Sequence, residues 1–158
     1  MPDRPDVPLF GELLRPHINS VPAVARPAFL SGLERSAAAR YRAWARDDPD
    51  HADELLACAS REDEIADLVA DLFPISDDDR HAVDVALPAA VALYYDVFAP
   101  YSLVDQLYLQ SEAELQGAQA WVNLAVQVTD PAALAVLARC TELEQESSRV
   151  VQAVLAAA

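Results

Sequence analysis

Apolar side chains recur along this chain at three- and four-residue intervals and nowhere at every second position, which predicts helices and no strands. Prolines and aspartates punctuate the pattern. Pro27 suits the first turn of a helix over 27–46. Asp48-Pro49 supplies a cap and first position for a second helix over 49–73, which Pro74 stops. Asp77 to Asp79 open a third over 77–99, with Pro88 inside it as an expected kink. Pro100 ends that segment, and a fourth helix follows over 101–128. Asp130-Pro131 repeats the earlier start signal and opens a last helix over 130–157. Residues 1–26 hold five of the 11 prolines and read as an N-terminal arm with a short helix between Leu9 and Arg15. The rest, 27–158, reads as one domain. Its short loops make two antiparallel hairpins, and the connection 74–100 is long enough to travel the length of a bundle. The predicted fold is therefore all-α, a four-helix bundle with a long helical crossover between its second and third helices.

The two hairpins resemble each other. Glu34 precedes Tyr41 by seven residues, and Glu114 precedes Trp121 by seven. Pro49 precedes Cys58 by nine and Glu62 by thirteen; Pro131 stands in the same relation to Cys140 and Glu144. These glutamates also occupy unusual helix faces. At positions three, four and seven away, Glu34 has Pro27, Leu30, Ala37, Ala38 and Tyr41. Glu62 has Leu55, Cys58, Ile65, Ala66 and Val69. Glu114 has Leu107, Ala118 and Trp121, and Glu144 has Leu137, Cys140, Ser147, Ser148 and Val151. Neighbouring acids behave differently: Glu64 sees Arg61, Asp67 and Asp71, an ordinary solvated setting. No arginine falls cleanly on the four apolar stripes. One inward glutamate from each of four helices is how carboxylate-bridged dinuclear metal centres are built, so Glu34, Glu62, Glu114 and Glu144 are the candidate metal ligands.

Composition narrows the function. Of 158 residues 53% are hydrophobic and only 3 are Gly, which suits a helical core. All 11 basic residues are Arg, and the formal net charge is −15. Nucleic acid and anionic membrane surfaces are therefore unexpected partners; cations or a basic protein surface fit better. No apolar run suggests a membrane span, and the opening Met-Pro-Asp-Arg-Pro-Asp has no signal-like stretch. A cytoplasmic location is expected, with Cys58 and Cys140 as buried thiols. No glycine-rich phosphate loop or paired Cys-x-x-Cys occurs. Tyr94, Tyr95 and Phe98 on the crossover are the expected face of a homodimer.

The stretch from Leu33-Glu34 through Tyr41 and Trp44, and the stretch Leu56-Ala-Cys-Ala-Ser-Arg-Glu62-Asp-Glu-Ile65-Ala, resemble the first two helices of the rubrerythrin and ferritin superfamily. Glu114 and Glu144 repeat the pattern, and the resemblance covers about 27–73 and 101–157. It implies a ferritin-like bundle with a dinuclear metal site. The family's active di-iron members carry His three residues after the second Glu of each hairpin; here Ile65 and Ser147 stand there. His17, His51 and His81 lie elsewhere. An oxygen-only donor set suits Mg, Mn or Ca better than iron chemistry. The leading expectation is thus a ferritin-like protein with a degenerate, histidine-less site, acting as a non-catalytic binding or structural protein with a divalent metal (Mn, Fe or Mg) or none. Two others stand beside it: an active oxidoreductase or metal-storage protein using the four glutamates, and an acidic module that binds a protein partner.

Overall fold

The structure is a computed structural model that describes residues 4–157. It is all-helical, with six α-helices and no strand among the described residues. They are α1 (Phe10–Ile18), α2 (Arg26–Asp47), α3 (Ala52–Leu72), α4 (Asp77–Phe98), α5 (Leu103–Ala125) and α6 (Pro131–Ala157). Short 3₁₀ turns at Ala23–Ala25 and Pro49–His51 lead into α2 and α3. The second turn replaces the expected direct start at Asp48-Pro49, where no side chain caps the helix. Asp130 does cap α6: its Oδ2 accepts the Ala133 amide at 2.9 Å. The cap of α4 is Ser76, which accepts the Asp79 amide; Asp77, Asp78 and Asp79 fill the first turn, where negative charge complements the helix dipole. Pro88 lies within a single continuous helix from Asp77 to Phe98.

Two antiparallel hairpins, α2 with α3 and α5 with α6, pack together chiefly through α3 and α6. Contact across the other seam, between α2 and α5, is sparse. It is bridged by polar side chains four residues apart on α5. Gln106 accepts from Trp44 Nε1 at 2.9 Å, Gln110 accepts from Arg40 Nη2 at 3.2 Å, and Glu114 accepts from the Tyr41 hydroxyl at 2.6 Å. The crossover helix α4 lies on α2, where Gly32 lets Leu87 approach so closely that a Cβ there would sit 2.5 Å from Leu87 Cδ2. By length and composition α4 alone among the described helices is apolar enough to cross a membrane, with a mean hydropathy of 1.2 over its best 18-residue window. That amends the expectation that no stretch approaches this character. The helix packs inward through Val83, Ala90 and Phe98.

The arm contributes more than a lead-in. α1 lies over α4 and α5 and closes one side of the α2–α5 seam. Gln116 of α5 holds its start by accepting the Phe10 amide and donating to the Pro8 carbonyl, both at 2.9 Å. Phe10 stacks on Tyr94 with ring centroids 5.0 Å apart and lies 6.2 Å from Phe98. This changes the expected dimer face. Phe98 is 2% exposed and Tyr94 is partly buried, because α1 and Trp44 cover them; only Tyr95 remains exposed.

Phe10→Ala removes the one large buried ring that fixes α1. It is expected to lower stability by about 3 kcal/mol and to raise amide exchange across Phe10–Ile18 while the middles of α3 and α6 stay protected.

Candidate metal centre

The repeated pattern puts each of the four glutamates near the middle of its helix, on the face turned toward the other hairpin. Glu62, Glu114 and Glu144 are 0%, 2% and 2% exposed. Glu34 keeps some accessible surface because it lines a cavity between α1, α2 and α5. One carboxylate oxygen from each of Glu34, Glu62 and Glu144 lies within 4.8 Å of the others. Glu114 stands outside that triad but within hydrogen-bonding reach of the Glu62 and Glu144 carboxyls. The structure therefore brings all four residues into one interior cluster, three of them in ligand-like proximity.

The donors around the cluster are uneven. Glu114 Oε1 accepts from both Tyr41 and Gln110 Nε2, each at 2.6 Å. Glu144 Oε1 accepts from Trp121 Nε1 at 2.8 Å. Glu62 Oε1 accepts from the Ser147 hydroxyl at 3.2 Å, and its Oε2 is buried with no partner. The repeat is thus kept in residue type and broken in pairing: Tyr41 reaches the glutamate of the opposite hairpin, whereas Trp121 reaches one within its own. Ile65 is fully buried in the apolar cluster that holds Trp121, Leu137 and Leu143, whereas Ser147 donates to Glu62 and borders the cluster of glutamates directly.

Burial and repulsion from neighbouring carboxylates push Glu34, Glu62 and Glu144 toward their protonated forms. Glu34 rises from 4.5 to about 7, mainly through desolvation and then the Glu114 charge, with Arg40 pulling the other way. Glu62 and Glu144 rise well above the carboxylate range, first from desolvation and then from the neighbouring carboxylates. Tyr41 is raised by burial and by Glu114, so its phenol keeps its proton. Cys58 and Cys140, one turn before Glu62 and Glu144, are buried free thiols raised by desolvation to about 11 and about 12. Neither is a thiolate at neutral pH.

Three residues of the centre escaped the sequence reading. Arg40 is 4% exposed and faces the seam, although it stands off the Glu34 stripe, six residues along α2. The neighbour test would have found it, for Leu33, Ser36, Ala37, Ala43 and Trp44 surround it at helical spacing. Gln110, flanked by Leu107, Ala113 and Glu114, carried a similar signal. Gly117 carried none. A Cβ at Gly117 would lie 2.6 Å from Glu144 Oε1 and 2.9 Å from its Cδ, so the missing side chain leaves the space the Glu144 carboxylate fills.

Compared with family models, with curated proteins and with solved structures, the chain finds no match.

Gly117→Ala gains helix propensity of about 1 kcal/mol but must displace Glu144, and overpacking costs about 1–3 kcal/mol. Destabilisation is expected. Gly11→Ala, where nothing lies within 4 Å of the added carbon, is expected to be neutral or stabilising. Thermal melts of the two variants against the parent check the contrast.

Proposed function

We propose that this chain is a ferritin-like four-helix bundle whose histidine-less glutamate centre holds a divalent cation, and that it serves as a binding or structural protein and not as an oxygen-activating enzyme. The observation that carries the reading is the Glu34, Glu62 and Glu144 triad, with one oxygen of Glu62 buried and without a donor. A buried carboxylate oxygen in that state calls for a proton or a cation. Bringing several such groups together raises the proton affinity of each and equally suits a doubly charged ion. The donors are all oxygen, which favours Mn or Mg over iron held by imidazole. Glu34, Glu62 and Glu144 would hold the ion, with Glu114 beside them. Tyr41, Trp121 and Gln110 would orient the ligands through the hydrogen bonds they already make.

The metal-free protein has a defined pH signature. Glu34 has its folded pKa at about 7 against an ordinary 4.5. Between those values the folded state binds more protons than the unfolded one. The stabilising contribution is complete below about pH 4.5 and is lost as pH rises through 7, with a slope of about 1.4 kcal/mol per pH unit per group. Glu62 and Glu144, shifted in the same direction, extend the loss to higher pH. Melting temperature should therefore fall from pH 5 to pH 8 without metal. A cation at a hundredfold excess over its Kd adds about 2.7 kcal/mol, or roughly 5–10 °C at about 2–4 °C per kcal/mol. Melts with and without Mn, joined to elemental analysis, measure both. Glu62→Gln should abolish most of the Mn effect. A flat profile with no bound metal would defeat the reading.

The resemblance itself has a separate check. Ile65→His with Ser147→His restores two Glu-x-x-His pairs beside the cluster. The folded double variant is expected to bind ferrous iron beyond the parent's stoichiometry and to consume oxygen when iron is added. Iron uptake equal to the parent's would reduce the likeness to a shared bundle.

A further inference from the structure

The α2–α5 seam encloses more than the glutamates. A cavity of about 140 Å³ opens beside them, walled by Phe10 and Leu14 of α1, Leu33 and Ala37 of α2, and Ala113 and Trp121 of α5. Ala120 belongs to the lining and is exposed, so the cavity reaches the surface beside α5. A mainly apolar space of about 150 Å³ accommodates a benzene ring.

Arg40 forms part of the same wall. Its guanidinium lies 4.9 Å from the Tyr94 ring centroid and gives hydrogen bonds to Ser36 Oγ at 3.3 Å and Gln110 Oε1 at 3.2 Å. Both acceptors are neutral. Its Nε–H is buried without an acceptor, and among the described residues Arg40 makes no salt bridge. The protein's other inter-helix arginines, Arg35, Arg42, Arg61 and Arg139, all pair with carboxylates near the surface. A buried guanidinium with spare donors is stabilised most by a planar anion that takes two of them at once.

We infer that this cavity is a binding pocket for a small aromatic or branched aliphatic carboxylic acid, with its apolar body between α1 and α5 and its carboxylate on Arg40. The inference rests on the cation-bound reading of the centre, because Glu34, Glu114 and Glu144 also line the cavity, and in the loaded centre the cation offsets the carboxylate charge that would otherwise repel an anion. The ligand thereby sits beside the metal centre and is sensed by it.

Benzoate is the probe. Calorimetry on the full chain loaded with Mn should give saturable benzoate binding. Binding should weaken at least tenfold in Ala113→Phe, which fills the cavity, and in Arg40→Met, which removes the charge. Both variants are first to be shown folded and Mn-loaded. Should Arg40→Met fail to fold, benzylamine takes its place: a pocket that prefers benzylamine to benzoate overturns the assignment. Should the parent take up no Mn, the Glu34→Gln/Glu144→Gln variant, whose wall is largely neutral, is tested alone. Benzoate binding there upholds the pocket while the metal reading fails. Mn uptake with no benzoate binding, or binding unchanged by Ala113→Phe, overturns the pocket.

Discussion

Four carboxylates held in one water-poor interior repel one another, and their ionisation is opposed by burial as well. The rest of the centre answers that constraint. Tyr41, Trp121, Ser147 and Gln110 aim donors at three of the acids, and Arg40 sets a positive charge nearby. Gly117 gives up a side chain so that Glu144 can lie against α5. The sparsely packed α2–α5 seam belongs to the same arrangement. Packed with leucines it would leave no room for Arg40, Gln110 and Glu114, and the glutamates of the two hairpins would lose their shared interior.

Unequal solvation gives the acids different chemical characters. Glu114 accepts two short hydrogen bonds at one oxygen and is the best supplied with donors. Glu62 has a single long hydrogen bond and an orphaned oxygen, and so has most to gain from a proton or a metal ion. Glu34 faces the cavity and is the least enclosed. Glu62 does not line that cavity. Tyr41 and the two thiols keep their protons, so redox chemistry through a tyrosinate or thiolate is disfavoured at neutral pH.

Much of this was legible in the chain because helical periodicity is a local property. The helices and the four inward glutamates follow from neighbours at three, four and seven residues, and the repeat singled out the same acids independently. What escaped detection depends on distant parts of the chain meeting. Phe98 looked like an exposed aromatic because only the folded arm, through Phe10, covers it. Gly117 matters because α6 delivers Glu144 against it, a contact that no local pattern encodes. Arg40 was missed for another reason: it stands six residues from Glu34, off the positions three, four and seven away, although Ala37 and Trp44 around it mark an interior face.

The broken pairing within the repeat bears on what the centre can do. In a symmetric arrangement Tyr41 and Trp121 would make equivalent contacts, and two equivalent half-sites would follow. Here Tyr41 donates across the seam to Glu114, while Trp121 donates to Glu144 on its paired helix. Glu114 is thereby drawn toward α2, and Glu144 is held against α5. The triad that remains, Glu34, Glu62 and Glu144, takes members from both hairpins. Glu114, by contrast, is engaged by Tyr41 and Gln110. The asymmetry also leaves the Glu34 and Arg40 side of the seam open to the cavity beside α1.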